Sequence, residues 1–217
     1  MIGKLLLHLL FPPKCILCGK LLEKDETDLC RVCRVDSPEC RKNNLTFSFL
    51  DSWAAVWYYD GYIRKSLQRF KFSRARHYAP AYGRLLAMKL QEEHPEGFDV
   101  LTWIPVSRWR KFTRGYDQVE LLANAVGSQL RMKPLRTLQK LRNNSPQSSI
   151  IGVEKRRANV LGVYRITDAE LVAGKRVLLL DDIITTGATA GEAARVLLTA
   201  GAKEVHFGCI AVANKRK

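Results

Sequence analysis

Continuous apolar runs alternate with segments of helical periodicity along most of the 217-residue chain. The apolar runs predict strands at residues 52–59, 98–106, 161–166, 176–180 and 204–212. Spacing of apolar residues by three or four predicts helices within 63–78 and at 79–93, 119–130 and 190–200, with a helical turn at 154–159. Runs that are apolar throughout are typical of strands buried on both faces of a parallel sheet. The alternation therefore predicts an α/β body, with a parallel sheet flanked by helices.

The run 176–180 differs from the other predicted strands in the residues that come after it. Two carboxylates, Asp181 and Asp182, stand where this strand is expected to end, and a hydroxyl-rich turn with one glycine comes next. Ligands of α/β proteins bind at the carboxyl ends of strands, and a helix N-terminus favours a phosphate. A ribose 5-phosphate fits both features, with its hydroxyls on the carboxylates and its phosphate in the turn. The predicted phosphate-binding residues are Ile183, Ile184, Thr185, Thr186, Gly187, Ala188 and Thr189.

The thirteen residues 177–189 resemble the phosphoribosyl pyrophosphate (PRPP) signature of type I phosphoribosyltransferases. A P-loop is excluded because no Gly-Lys-Thr/Ser follows a glycine-rich loop, and a dinucleotide fingerprint because the turn has a single glycine. The resemblance implies a phosphoribosyltransferase-like fold that binds PRPP together with Mg²⁺. It also implies Asp181 and Asp182 as catalytic residues, near an anomeric carbon that is attacked as pyrophosphate leaves. Whether catalysis occurs, and which acceptor takes the ribosyl phosphate, stays open.

Four of the six cysteines form two pairs near the start of the chain. The pairs are Cys15 with Cys18 and Cys30 with Cys33, each with two residues between, and eleven residues separate them. Each pair can wrap a tight turn that directs two sulfurs at one ion, and four thiolates fit tetrahedral zinc. Such a site has no open position for a substrate, so we expect structural zinc. Cys40 has a less regular spacing and could replace one of these ligands.

The net charge of +15, from 36 basic and 21 acidic residues, indicates an anionic partner: a nucleic acid, a phosphorylated metabolite or both. Residues 107–118, predicted as a loop, place four cations and three aromatic side chains close together. Because solvated charge runs seldom carry tryptophan and phenylalanine, this block is a candidate binding site for pyrophosphate or for DNA. The candidate cations for either ligand are Arg108, Arg110, Lys111, Arg114 and, from an earlier basic segment, Lys71.

Aromatic side chains interleaved with cations are also what single-stranded DNA requires, because cations track phosphates while rings stack on bases. The candidate stacking residues are Trp109, Phe112, Phe70, Phe72 and Tyr78. The same cations could instead hold only pyrophosphate. The four histidines are scattered, and we expect each to be structural or on the surface.

Considered in order, the motifs resemble the competence protein F (ComF-type) family, which is phosphoribosyltransferase-like and carries an N-terminal four-cysteine zinc finger. The matching pieces are the four cysteines, Tyr59-Asp60-Gly61, Phe70-Lys71-Phe72, Arg114-Gly115-Tyr116-Asp117-Gln118, Ser145-Pro146-Gln147, Arg156-Arg157-Ala158-Asn159 and Asp181-Asp182. The chain departs from the family pattern at residues 103–106 and 116–117. The resemblance implies a role in DNA uptake during natural transformation, beside a helicase-type ATPase. The alternative is an active phosphoribosyltransferase of nucleotide metabolism without a DNA role.

Two units are predicted: an N-terminal helix with the zinc finger at residues 1–48, and a phosphoribosyltransferase-like domain at 49–217. The apolar stretch in residues 1–11 is short, lacks a small-residue cleavage site and is expected to be a helix that packs on the body. No run approaches the roughly 20 apolar residues of a membrane span. The expected location is the cytoplasm.

Overall fold

The computed structural model of the protein describes residues 12–41, 45–73, 75–142 and 153–213. The helix predicted at 1–11 and the Ser145-Pro146-Gln147 motif lie outside the described residues. The strands are β1 Ser52–Tyr58, β2 Val100–Trp103, β3 Leu138–Lys140, β4 Tyr164–Ile166, β5 Arg176–Ile184 and β6 Glu204–Val212. The α-helices are α1 Arg31–Asp36, α2 Gly61–Phe72, α3 Ala79–Glu93, α4 Arg108–Arg114, α5 Gln118–Leu130, α6 Val153–Val160 and α7 Ala188–Thr199.

Four strands form the central sheet in the order β1-β6-β5-β2, and every neighbouring pair is parallel. The predicted parallel sheet is therefore confirmed. β5 and β6 occupy the middle of the sheet, and their apolar residues are buried on both faces, as the continuous runs indicated. A separate antiparallel pair, β3 with β4, covers part of one face.

Each face of the sheet packs against its own helices. On one face, α2, α3 and α5 cover the even-numbered β5 residues Leu178 and Leu180. On the other, α7 and the β3-β4 pair cover the odd-numbered residues Val177 and Leu179. Because side chains alternate along a strand, residues that follow each other in β5 enter different cores.

β5 is longer than its sequence pattern indicated. The prediction that the strand ends at Leu180 is wrong, because pairing with β6 continues to Ile184 opposite Val212. Pairing with β2 does stop there, with Trp103 opposite Leu180. Asp181 and Asp182 therefore stand on a strand that is still paired on one side and has lost its neighbour on the other. Polar residues ended the apolar run without ending the hydrogen-bond ladder.

Several further elements differ from the predictions. The helix at residues 79–93 and the strand at 204–212 are confirmed to the residue, whereas the basic block is mostly the helix α4 instead of a loop. Met88 on α3 is 66% exposed, because the helix buries the stripe that runs through Tyr82, Leu86 and Leu90. β3 had no sequence signal, since it is only three residues long.

The N-terminal cysteine unit is docked on the body through α2 and α3. Ser66 Oγ donates to the carbonyl of Ile16, and the Arg69 guanidinium donates to the carbonyls of Ile16 and Leu17. Arg84 on α3 makes a two-pronged ion pair with Asp28. The N-terminal cysteine unit and the sheet therefore share one continuous core, which includes Leu17 and Leu67.

The connection from the cysteine unit to β1 lies along the sheet edge and then against α7. The backbone bridges between Glu39 and Trp57, which places this segment antiparallel beside β1. Farther on, the ring of Phe47 lies so close to Gly187 that a Cβ built on that glycine would be 2.4 Å from it. The carbonyl of Ser48 approaches Gly191 in the same way, at 2.9 Å. We call residues 45–50 the strap.

The amino-terminal end of the sheet carries a closed polar cluster. Ser52 Oγ lies 2.9 Å from Nε2 of His94 and 2.9 Å from Nδ1 of His206, and Glu204 contacts the other nitrogen of His206 at 3.1 Å. These contacts join the starts of β1 and β6 to the end of α3. The structure thus gives both histidines the structural position that was expected.

Candidate functional site

Asp182 faces the α2 and α5 side of the sheet, where protein donors contact both of its oxygens. The Lys71 ammonium lies 2.8 Å from Oδ1, and the Gln118 amide donates to Oδ2 at 3.0 Å. The carboxylate is only 4% exposed. A buried charge is tolerated when it is paired and hydrogen-bonded, and both conditions hold for Asp182. Asp182 therefore links α2 and α5 to the end of β5.

Asp181 faces the opposite side, among Tyr164, Lys140 and Asp117, with which it interacts electrostatically. Its Oδ1 accepts a hydrogen bond from the backbone N–H of Asp182 at 2.8 Å. Burial, followed by the negative charge of Asp182, raises the pKa of Asp181 to about 8. At neutral pH this side chain therefore carries a proton most of the time, and it can donate as well as accept a hydrogen bond.

The turn between β5 and α7 has the geometry of an anion site. Gly187 has a φ of 76°, caps α7 without a side-chain hydrogen bond, and precedes a helix of 12 residues. The first N–H groups of a helix point away from it and carry the positive end of its dipole, which favours phosphate. Thr186 Oγ1 accepts from the N–H of Ala188 at 3.4 Å and shapes the turn from inside. Thr185, Thr186 and Thr189 are half-buried, so their hydroxyls are close to the surface.

The cations of the basic block fall into two groups. Arg114 donates to the Gln118 side chain at 2.9 Å and lies over the ring of Phe72 at 4.8 Å, so it joins the network that ends at Asp182. Lys111 forms an ion pair with Glu120 at 2.7 Å, on the exposed side of α4. Arg108 is exposed and Arg110 is half-buried. The structure therefore brings Lys71 and Arg114 to the carboxylates and directs Lys111 toward a surface partner.

Asp117 fixes the position of α4 and α5 relative to β2. Its Oδ1 accepts from the N–H groups of Val119 and Glu120 at 2.9 and 3.1 Å, which caps α5. Its Oδ2 accepts from the N–H of Val106 at 3.2 Å and ties down the segment after β2. Burial raises the pKa of Asp117. The cap explains why α5 begins at Gln118 and why this amide reaches Asp182.

Two of the five aromatic residues proposed to stack on bases are buried, so that part of the prediction is wrong. Phe70 is 0% exposed and Tyr78 is 7% exposed, because both belong to the core around Tyr82. The other three are open to solvent: Phe72 at 68%, Trp109 at 63% and Phe112 at 82%. Trp109 and Phe112 lie one helical turn apart on α4, with ring centroids 6.4 Å apart. We call these three residues the aromatic surface.

Sequence reasoning missed two residues near the carboxylates. Lys140 on β3 lies over the Tyr164 ring at 5.6 Å, and burial lowers the pKa of Lys140 to about 8. Burial also raises the pKa of Tyr164. Neither residue stands in a recognisable motif, and the β3-β4 pairing that carries them to Asp181 is visible only in the fold. Gln118, by contrast, was part of the motif at residues 114–118, without an assigned role.

The four paired cysteines converge as a zinc site requires. The sulfurs of Cys15, Cys18, Cys30 and Cys33 all lie within 4.8 Å of one another. Cys18 and Cys30 are 3.6 Å apart, close to the roughly 3.8 Å between sulfurs of a tetrahedral site with 2.3 Å bonds. Cys40 is buried in the other core, beside β1, and is not part of this group. The donor set fits structural zinc.

Two family models match the chain. A phosphoribosyl transferase domain covers residues 121–217, and a double zinc ribbon domain covers residues 6–44. The fold is therefore that of a phosphoribosyltransferase with an N-terminal zinc ribbon, as the sequence indicated. Within the described residues, none of the helices has the length and apolar character that crossing a membrane requires.

Curated relatives match most of the chain. Competence protein ComFC of Bacillus subtilis (strain 168) is 29% identical over 187 residues, which cover 86% of this chain and 72% of the relative. DNA utilization protein YhgH of Escherichia coli (strain K12) is 27% identical over 223 residues, which cover 92% of this chain and 96% of the relative. Among solved structures, the allosteric regulatory enzyme of purine biosynthesis matches 65% of this chain and 29% of its own length, at 21% identity and a TM-score of 0.44.

Proposed function

The chain belongs to the competence protein F (ComF-type) family, and from that premise we propose that it binds PRPP and works on single-stranded DNA during DNA uptake. The observation that carries the first half is the end of β5: Asp181 has a raised pKa on one face, Lys71 contacts Asp182 on the other, and the N-terminus of α7 follows directly. Relatives named for competence and DNA utilization support the second half.

The proposed PRPP complex divides the ligand among three regions. The 5-phosphate lies at the start of α7, where backbone N–H groups and the hydroxyls of Thr185 and Thr189 face it. The ribose hydroxyls meet Asp181, whose proton lets the side chain donate to one hydroxyl and accept from another. The pyrophosphate lies toward Arg114 and Lys71, with Arg108 and Arg110 at the rim. Mg²⁺ bound to the pyrophosphate would share in neutralising its charge.

Isothermal titration with PRPP and Mg²⁺ tests this site. Wild-type protein should bind, and the double variant Asp181→Asn with Asp182→Asn should lose binding, because it changes the groups that face the ribose and anchor Lys71. The matched control removes the same charge from two exposed carboxylates of the ribbon, with Asp25→Asn and Asp36→Asn. Binding by the first variant at wild-type affinity would show that the site is assigned to the wrong residues.

A transferase reaction is the second candidate function, and it is favoured by the raised pKa of Asp181. A carboxyl that exchanges a proton near pH 8 could donate to or accept from an incoming nucleophile. Measurement of pyrophosphate release from PRPP, with a panel of free bases and nucleotides, tests it. Release that depends on an acceptor establishes a transferase of nucleotide metabolism, while binding without release in every case leaves PRPP as a bound effector.

Single-stranded DNA binding is supported by the aromatic surface and the cations beside it. Trp109 and Phe112 lie next to each other on α4, and Arg114 lies over the ring of Phe72. Contiguous exposed apolar groups often mark interaction sites. Rings contribute affinity by stacking on bases, whereas the cations contribute a term that salt weakens. A helicase-type ATPase partner would supply ATP-driven movement, since the sequence has no Walker motif. Zinc thiolates suit a reducing compartment, so we propose that this work takes place in the cytoplasm.

Fluorescence anisotropy with a labelled oligonucleotide tests the DNA proposal. Trp109→Ala with Phe112→Ala should weaken binding by about 1–3 kcal/mol for each lost stacking contact. Arg108→Ala with Arg110→Ala should weaken it too and reduce its dependence on salt between about 50 and 200 mM. The control is Met88→Ala with Leu161→Ala, two exposed apolar residues away from the block. Undetectable or salt-insensitive binding by the wild type would exclude the proposal.

A further inference from the structure

Helix α2 contacts the zinc ribbon and the candidate PRPP site within a single turn. On the ribbon side, Arg69 donates through Nη2 to the carbonyl of Ile16 at 3.1 Å and to that of Leu17 at 2.6 Å. These two residues are the ones between Cys15 and Cys18, so their carbonyls belong to the zinc-binding turn itself. Two residues along the helix, Lys71 contacts Asp182 at 2.8 Å.

Arg69 and Phe70 together hold the inner side of the last turn of α2. Phe70 fills the core and accepts a hydrogen bond on its carbonyl from the Tyr116 hydroxyl. Arg69 Nε also donates to the hydroxyl of Tyr78 at 3.2 Å. The direction in which Lys71 leaves the helix therefore depends on where Arg69 and Phe70 hold this turn.

Zinc determines whether the carbonyls that Arg69 needs are in place. Binding of Cys15 and Cys18 to one ion fixes the backbone between them, and zinc-ribbon folding depends on the metal. Without the ion, Ile16 and Leu17 lose this restraint, and the guanidinium loses a defined pair of acceptors. Ser66 donates to the carbonyl of Ile16 one turn earlier in α2, whereas the two charge-assisted hydrogen bonds of Arg69 join the ribbon to the turn that carries Lys71.

We propose that Arg69 is a positioning residue that couples zinc in the ribbon to PRPP affinity, by holding the turn of α2 from which Lys71 reaches Asp182. The proposal rests on the proposed PRPP site, and it adds that zinc occupancy controls that site. The effector is a divalent zinc ion bound by four thiolates. The coupling requires no movement of the sheet.

The chain offers a matched control for general docking of the ribbon. Arg84 on α3 also binds the ribbon, through Asp28. Among the described residues, α3 makes no hydrogen bond or ion pair to Asp181 or Asp182, and only the electrostatic interaction of Tyr82 links it to Asp182. Arg84→Met and Arg69→Met each remove one guanidinium from the same interface. Only Arg69→Met removes hydrogen bonds between the ribbon and the turn of α2 that carries Lys71. Arg69→Lys restores a donor at that position.

Hydrogen exchange of the full-length, zinc-loaded protein gives a readout that needs no ligand. Arg69→Met should exchange faster than wild type at residues 66–72, whereas Arg84→Met should match wild type there. Zinc removal by a chelator should reproduce the effect of Arg69→Met. If the chelated protein unfolds, the zinc-loaded variants, with their zinc content verified, decide the question alone.

PRPP titration supplies the second readout. Arg69→Met should bind PRPP about ten-fold more weakly, with Arg69→Lys between it and wild type and Arg84→Met unchanged. Unchanged exchange and affinity in Arg69→Met would overturn the proposal, as would equal losses in both methionine variants. If wild type does not bind PRPP, the proposed function fails, and the exchange results alone decide whether the ribbon is coupled to Lys71.

Discussion

At the end of β5, two neighbouring aspartates lie on opposite faces of the sheet and have different surroundings. Asp182, on the α2 and α5 side, is buried and accepts contacts from Lys71 and Gln118. Asp181, on the α7 side, is half-buried, and its pKa is raised to about 8. One carboxylate is thus neutralised by a cation, and its neighbour by a proton. Adjacent positions in a strand reach such different surroundings because their side chains point to opposite faces.

This difference shows how a pair of acidic residues can serve an anionic ligand. Two free carboxylates would repel PRPP, yet each charge here is cancelled by a different means before a ligand arrives. Asp182 supports the fold through its partners Lys71 and Gln118, and Arg114 joins them by donating to Gln118. Asp181 keeps an exchangeable proton for contact with hydroxyls. The comparison predicts that substitutions on the two sides have different consequences.

The largest effect is expected on the anchored side. Asp182→Ala leaves Lys71 without its partner, and breaking a buried ion pair typically costs 3–5 kcal/mol. The Lys71 side chain retains 21% exposure, so we expect about 3 kcal/mol of lost unfolding free energy, measured by urea denaturation. Adding Lys71→Met removes the stranded cation and should restore more than half of the loss. A cost below about 0.5 kcal/mol, typical of surface pairs, would break the comparison.

A smaller effect is expected where the α7 side depends on Gly187. Alanine there must adopt a φ of 76° and place its Cβ 2.4 Å from the Phe47 ring. We expect about 2 kcal/mol of destabilisation, from the strained backbone and the overlap with the strap together. PRPP binding should weaken as well, because the turn moves.

Gly174→Ala is the control for Gly187→Ala. Its φ is 69°, but no atom of the described residues lies within 4 Å of the added Cβ, so it carries the backbone cost alone. The difference between the two variants measures the overlap with Phe47. Equal unfolding free energies in both would show that the strap does not press on the phosphate turn.

The effect that most sharpens the comparison is a change of stability with pH at Asp181. Its pKa is raised from about 3.8 in the unfolded chain to about 8. The stability that this residue contributes is complete below its unfolded pKa and is lost as the pH rises through its folded pKa. Asp181→Asn removes this loss, so the variant should gain stability relative to wild type as the pH rises toward 8, by at most about 1.4 kcal/mol for each pH unit.

Urea denaturation from about pH 5 to about pH 9 measures the effect of Asp181→Asn. The gap between variant and wild type should widen as the pH rises. A constant gap would mean that Asp181 keeps one charge state over this range of pH.

The fold was largely predictable because its signals are local. The apolar runs of β5 and β6 and the helical spacing in residues 79–93 are properties of consecutive residues. The structure confirms two strands and one helix at these positions. The cysteine spacing was equally local. β3 was missed because three residues offer no periodicity to recognise.

The site was predictable in its chemistry and not in its contacts. The carboxylates and the turn are contiguous in sequence, whereas Lys71, Gln118 and Lys140 arrive from three different elements. The Phe70-Lys71-Phe72 motif singled out Lys71, but its contact with Asp182 could not be predicted because it depends on how α2 packs against β5. For the same reason Phe70 and Phe72 looked equivalent as stacking residues, although one is buried and the other is 68% exposed.

The pairing of β1 with β6 determines when the sheet can be completed during synthesis on the ribosome. Ser52 pairs with His206 and Tyr58 with Val212, so the first strand of the sheet meets its neighbour only after most of the chain has been synthesised. Contacts this distant in sequence slow folding and leave an unpaired strand exposed meanwhile. The ribbon and helices α2 and α3 are complete much earlier. In a nascent chain that has bound zinc, β1 would therefore pair first with its own upstream segment at Glu39. It would pair with β6 only after that strand has been synthesised.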